Sequence, residues 1–532
     1  MRGDRVFRFI ACGLVVAVVG CGTSQPAPKV AAKKPAARQA DIEEQLKSAL
    51  YQLQPENLNI DSRLDDAVSV LNHWWSAVQA ADLEPTGLTP PPIPADRLPE
   101  GWLSRLERDT YDLEDGAHVR AAYLARNVAN RLADQTEDEL ERVVRVFEWV
   151  CRNVTLAADD DPLPPMTFYE LLIVGRGRAA DRAWVFGEIL KQLKIDAVVL
   201  QAREGQAAVG PPIVGVILGD AVYLFDPQLG LPIPRGDEPP SPHIRRPATL
   251  REIREHPHWL KALSLRTDQP YEPTGEQLTA AAVQVITSPT SWTRRMWNLE
   301  QLLPSEALCS LYDPPAALGD APGLFTRVAA ADPHWTADAL QVWTYPLQRQ
   351  AEFAAVHPQA NPQVFRLLQA TLLPFEVPFE PKLDEKKEKV VQIAQTKQQL
   401  KTRTLQLQGR YAPAIAGFVG IRQVALSPPP DPSWNPLYQR AAEDAFYWTC
   451  VAKYEQGEYE SAVATLGDYL KRHTRGGRWV GPAWQLLAEC QRELGQLPQA
   501  IQALKAATGD EAYRNTNALL ARRWSEASAS TP

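Results

Sequence analysis

The sequence predicts an α+β protein: a small β-containing core set between a helical N-terminal segment and an all-α C-terminal array. Three observations predict it. Apolar residues recur at helical spacing in four stretches between residues 42 and 153. A helix-patterned run, DRAWVFGEILKQL at 181–193, then feeds three β-rich runs at 195–202, 213–219 and 221–227. Beyond residue 400, a glycine, aromatic and alanine pattern returns at intervals.

Composition bounds the classes. At 532 residues the chain is long enough for about three domains. Its 45% hydrophobic and 23% charged residues are ordinary for a globular protein and exclude wholesale disorder. Six cysteines are too few for a disulfide scaffold. A net charge of −8 argues against a nucleic-acid binder, whose footprint is a basic patch. The 46 prolines exceed the usual share of about 5% and mark rigid or extended connections.

The elements follow in order. Behind Arg2, Arg5 and Arg8, Phe9 to Val19 is an unbroken apolar run. It falls short of the about 20 residues that a membrane span needs, so residues 1–20 read as a signal peptide. The run ends in Val18-Val19-Gly20-Cys21, which resembles a bacterial lipoprotein lipobox. The resemblance implies cleavage before Cys21 and a lipid on its thiol. The membrane would then be a partner through that anchor. Gly22 in place of aspartate implies the outer membrane, facing the periplasm. Residues 21–40, rich in Pro, Ala and Lys, read as an extended tether.

Residues 41–135 read as a helical N-terminal region. Helical spacing covers 42–53 and 63–81, where Leu64, Val68, Leu71, Trp74, Trp75 and Val78 share one face. A proline-rich break at 85–99 precedes helices expected near 117–134 and 137–153, the second with Cys151 as a core thiol. A core is expected over 136–245, with Gly219-Asp220 as a tight turn between two strands. Residues 246–384 read as a mixed region of unknown role, and 385–532 as wholly helical.

The C-terminal pattern is regular. Gly409-x-Tyr411-x-x-Ala414-x-x-x-Phe418 recurs as Gly457-x-Tyr459-x-x-Ala462-x-x-x-Leu466 and as Gly495-x-Leu497-x-x-Ala500-x-x-x-Leu504. Glycine permits a tight turn between paired helices and alanine lets them pack closely. This resembles the tetratricopeptide repeat, with loops at 427–436 and 475–482 stretching its usual period of about 34 residues. A polar capping helix is expected at 510–525. Cys450 and Cys490, in the first helices of neighbouring repeats, read as buried thiols, with a disulfide the alternative.

The residues with most to say about function lie at 145–227. Phe147-Glu148-Trp149-Val150 with Asn153, the run Gly175-Arg176-Gly177-Arg178-Ala179-Ala180-Asp181-Arg182-Ala183, and Phe225-Asp226-Pro227 occur in that order. Together they resemble the transglutaminase-like superfamily, whose fold is related to papain-like cysteine proteases. The resemblance implies a cysteine at position 179, a histidine at Pro211 or Pro212, and Asp226 as the orienting carboxylate. Here Ala179 and the prolines replace the first two, and only Asp226 is kept. No histidine lies between His118 and His243, and no cysteine between Cys151 and Cys309. The chemistry needs a thiolate beside an imidazole, and neither a methyl group nor a proline ring supplies it.

Two readings of the surrounding residues stand open. Asp181, Asp226 and Tyr223 would form a polar pocket rimmed by Arg176, Arg178 and Arg182, open to an anionic ligand. Alternatively, Asp226 caps a strand end and the arginines are solvated. His256-x-His258 lacks a third ligand nearby, and Asp159-Asp160-Asp161 lacks the spacing of a calcium loop, so no metal and no cofactor are expected. The expected function is a non-catalytic envelope lipoprotein binding protein or peptide partners, with no nucleic acid. The alternative is an envelope peptidase, hydrolase or acyltransferase using other groups.

Overall fold

The computed structural model describes residues 35–54, 64–158, 160–205, 207–239, 241–265, 270–375, 382–383, 389–390, 398–426, 432–473, 476–507 and 511–530. The leader, Cys21 and most of the tether lie outside the described residues. The architecture is mixed α/β, dominated by helix, with a small mixed sheet.

The N-terminal helices cover the apolar stripes, but the first begins at Pro35, so residues 35–40, expected as extended tether, are helical. These helices are α1 (Pro35–Leu53), α2 (Leu64–Gln79), α3 (Leu113–Ala133) and α4 (Glu139–Asn153). Acidic caps fix two of the starts: Asp112 accepts from the Glu114 and Asp115 amides, and Asp138 from the Glu141 amide. Trp74 and Trp75 are buried with Ala49, Leu71, Met296 and Trp297 in a shared core. The N-terminal region thus packs on residues that follow the β-containing core in sequence.

The β1 strand (Thr155–Leu156), α5 (Phe168–Val174), β2 (Arg176–Gly177) and α6 (Ala179–Gln192) come next. The six-stranded sheet then uses β3 (Ala197–Gln201), β4 (Ile213–Leu218), β5 (Ala221–Asp226), β6 (Leu231–Pro232), β7 (Ala282–Val285) and β8 (Gln341–Val342). The spatial order is β8-β7-β3-β4-β5-β6, antiparallel except for β7 with β8. Gly219 at φ +61° and Asp220 close the β4–β5 hairpin, with Leu218 opposite Ala221.

The sheet buries both faces. Val199, Val214, Val216 and Phe225 face α4 and α6, where the rings of Phe147, Phe186 and Phe225 lie 5.0–5.3 Å apart. Val198, Leu200, Val222 and Leu224 pack in a second core with Ile253, Leu278 and Phe325. A domain edge at 245/246 therefore does not hold. Two sheet strands come from 282–285 and 341–342, inside the region expected to be separate. These strands are too short to leave an alternating signal in sequence.

The C-terminal part is three helical hairpins and a final helix: α7 (Gln398–Leu407) with α8 (Tyr411–Ala425), α9 (Asn435–Glu455) with α10 (Tyr459–Arg472), α11 (Val480–Glu493) with α12 (Leu497–Ala506), and α13 (Glu511–Ser530). The wholly helical stretch begins later than expected, because a two-residue strand pair, 382–383 with 389–390, precedes it. Gly409, Gly457 and Gly495 sit at φ +77°, +83° and +73°. After each glycine, the next amide donates to the carbonyl five residues back: Arg410 to Leu405, Glu458 to Lys453 and Gln496 to Gln491. This is the left-handed helix stop that favours glycine. Ala414, Ala462 and Ala500 are fully buried, with Phe418, Leu466 and Leu504 one turn on.

The first helix of each hairpin faces the β-containing core. Arg403 of α7, fully buried, donates to the carbonyls of Leu172 (2.9 Å) and Asn153 (3.1 Å) and to Asn153 Oδ1 (3.2 Å). Its guanidinium lies 3.4 Å from the centre of the Trp448 ring of α9. The same ring abuts Gly175 so closely that a Cβ there would lie 2.2 Å from it. Asn153 also donates to Glu455 at 2.6 Å, Arg152 sits 3.7 Å from Glu489, and the Leu156 amide donates to the Tyr513 hydroxyl at 3.0 Å.

Candidate functional site

Position 179 is the first residue of α6, straight after the Arg178 cap. Its methyl group is 7% exposed. Pro211 and Pro212, both half-buried, precede β4, and Asp226 ends β5. The three positions thus sit at a helix start, a strand start and a strand end.

Asp226 is buried and its oxygens are taken. Oδ1 accepts from the amides of Gln228 (2.7 Å) and Leu229 (2.8 Å), and Oδ2 from the Tyr271 hydroxyl (2.7 Å). Burial pushes its pKa up, against those hydrogen bonds and the nearby Arg182. The carboxylate holds the turn after β5, which is the strand-end role considered from sequence. Tyr271 lay outside the sequence reading, because the pair is separated by 45 residues and carries no local pattern.

The expected pocket residues do not share one cavity. Asp181 accepts from the Arg178 amide and from the Tyr345 hydroxyl, both at 2.8 Å. It also crowds Gly177, where a Cβ would lie 2.8 Å from the Asp181 Cβ. Arg182 is buried and donates to the carbonyls of Val154 (2.7 Å), Pro227 (3.0 Å) and Cys151 (3.1 Å). Arg178 binds the carbonyls of Ala158 and Asp161, and Arg176 pairs with the Asp161 carboxylate. Tyr223 packs against the α4–α6 core on the sheet face shared with Phe225. A rim of solvated arginines is therefore not what forms. Each guanidinium ties segments together: the carbonyls of Val154, Ala158, Asp161 and Pro227 lie outside helix and sheet, that of Cys151 is in the last turn of α4, and all need donors.

The four described cysteines, His118 and His256 lie in the following settings. Burial raises the Cys151 thiol to about 11 and the Cys309 thiol to about 12, so neither is a thiolate at neutral pH. Cys450 and Cys490 are free, buried thiols, also pushed up by burial. His118 shares a 3.0 Å hydrogen bond with the Leu311 carbonyl, and burial with the nearby Lys191 lowers it to about 3. His256 stacks on Trp259 at 4.8 Å. Among the described residues no group of three or more His, Cys, Asp and Glu is placed to hold a metal ion.

Two open clefts flank this region. One, of about 740 Å³, is lined by Arg145, Trp149 and His243 from the core and by Tyr411, Tyr454 and Tyr459 from the repeats. Tyr411 and Tyr459 are thus repeat-motif residues that reach a cleft wall. The other includes Arg176. No helix of the described residues is long and apolar enough to cross a membrane. No family model, curated protein or solved structure matches the chain.

Proposed function

We propose that this chain is a non-catalytic lipoprotein of the bacterial cell envelope. It is anchored through Cys21 to the outer membrane, facing the periplasm, and binds protein or peptide partners. Its core is a transglutaminase-like, papain-related unit that has lost its nucleophile and base, and its C-terminal hairpins are tetratricopeptide-like. The observation that carries this reading is the pairing of a methyl group at 179 with an Asp226 whose oxygens already bond Gln228, Leu229 and Tyr271. A helix start followed by antiparallel strands, with the three motif positions at their ends, supports the transglutaminase-like assignment. The repeated glycine turns support the tetratricopeptide-like one.

The partner surface differs from the inner face that a free repeat array offers, since the first helices of the hairpins lie on the core. The cleft whose wall carries the half-buried rings of Tyr411 and Tyr459 is the better candidate. Aromatic rings give large contact area at low entropic cost. The test captures partners from detergent-solubilised envelopes on the wild-type chain and on Tyr459→Ala. The variant is expected to lose the main partner. An unchanged partner set removes the cleft from the reading, and wild-type turnover of peptide amides or esters removes the non-catalytic assignment.

A further inference from the structure

The second cleft, of about 1050 Å³, runs along the seam between the β-containing core and the three hairpins. Arg176 lies on one wall; Arg422, Arg440, Arg472 and Arg478 lie on the other. Arg478 belongs to the loop RGGRWVGP, which stretches the interval between the second and third hairpins. The main chain of Arg478 is fixed: its amide donates to Glu443 at 2.6 Å and its carbonyl accepts from Arg176 at 3.4 Å. Its guanidinium lies 5.3 Å from the Trp479 ring centre. That side chain has no ion pair among the described residues, and its Nε is buried without a hydrogen-bond partner. Arg422, stacked 3.6 Å over Phe446, likewise has no described ion pair.

The acids of the cleft do not neutralise this group. Asp161 pairs with Arg176, and Glu443 accepts from the Tyr469 hydroxyl and the Arg478 amide. Asp160 and Glu511 complete the acidic lining. Burial, together with the guanidinium groups of Arg440 and Arg176, lowers Arg478 to about 10, against the pull of Asp444. Arg478 is half-buried with its Nε closed off from solvent, and a charge drawn partly out of water without a partner is costly. It is retained where it meets an anion, and guanidinium forks match phosphate oxygens in pairs. The 14-residue helix α11 starts at Val480, also on the cleft wall, and adds its positive end.

We propose that this seam cleft binds a phosphate-bearing ligand, with the Arg478 guanidinium as anchor and Arg176 and Arg440 beside it. Because its walls come from both parts of the molecule, an occupied site also strengthens the docking of the repeats on the core. The proposal does not rest on the non-catalytic reading.

Pyrophosphate titrated into the mature chain, read by calorimetry and by Tm, tests it. Binding and a concentration-dependent rise in Tm are expected, with no rise from sodium chloride at equal ionic strength. Arg478→Gln should weaken binding about ten- to a hundredfold, the loss of charged hydrogen bonds, and Arg478→Lys should fall between. Without ligand, Arg478→Gln should keep or raise Tm, since a half-buried charge with no ion pair among the described residues is removed. Vesicles of phosphatidic acid that compete with pyrophosphate assign a lipid headgroup as the source; pyrophosphate binding without vesicle binding assigns a soluble phosphate. No pyrophosphate binding at millimolar concentration, equal binding by Arg478→Gln, or a lower ligand-free Tm in that variant overturns the proposal.

Discussion

At the scale of the residue, position 179 holds the functional argument. A thiol placed there by Ala179→Cys would sit at the start of a 14-residue helix, whose dipole favours a thiolate. It would still lack a free imidazole and a free orienting carboxylate, since His118 is bonded to Leu311 and Asp226 to Tyr271. The variant is expected to take up iodoacetamide yet show no hydrolysis of acyl esters above wild type; measured turnover would sink the pseudoenzyme reading. His118 gives a second prediction. Its folded pKa of about 3 lies below the usual value, so the unfolded chain takes a proton first as pH falls. Stability should drop between about pH 6.5 and 3, by up to about 1.4 kcal/mol per pH unit from this group. Denaturant titrations on His118→Gln should show a shallower slope. That positions 179, 211 and 212 hold neither cysteine nor histidine was legible in sequence, because a residue's identity needs no structure. The bonds that hold Asp226, Asp181 and Arg182 were not, because their partners are remote carbonyls and tyrosines.

At the scale of the element, the repeat turns separate two effects of glycine. A Cβ at Gly457 or Gly495 meets nothing within 4 Å, so Gly457→Ala and Gly495→Ala should each cost only the left-handed backbone penalty, about 1–2 kcal/mol. A Cβ at Gly409 would lie 2.2 Å from Arg131 Cδ, on the core side of the seam. Gly409→Ala should cost more than either, and urea midpoints rank the three. Equal costs would mean that Arg131 yields freely. These turns were legible because glycine, aromatic and alanine are fixed by local geometry. The helices and the β4–β5 hairpin were legible for the same reason, each carrying its own period. The short edge strands at 282–285 and 341–342 were not, since only pairing with distant residues defines them.

At the scale of the whole molecule, the repeats and the core are one packing unit. Leu400 and Leu407 of α7 are buried in the same core as Phe147, Phe186 and Phe225. Calorimetry is therefore expected to give one unfolding transition for the described body, and a chain ending before residue 398 should not fold. Two separate transitions would contradict this. Arg403→Met, which strips the donors from Leu172 and Asn153, should cost about 3–5 kcal/mol, the range for breaking a buried charged network. Sequence distinguished a β-containing part from a helical C-terminal part but gave no sign of their docking, because a buried arginine and a tryptophan inside helices look like any others. The bond from the Leu156 amide to the Tyr513 hydroxyl joins residues 357 positions apart, and it has a consequence in time. A ribosome adding about 5–20 residues per second needs roughly 20–70 s to travel that distance. Throughout that interval the nascent core exposes the apolar surface that α7 and the later helices will cover, so the chain depends on whatever shields it until its last helix emerges.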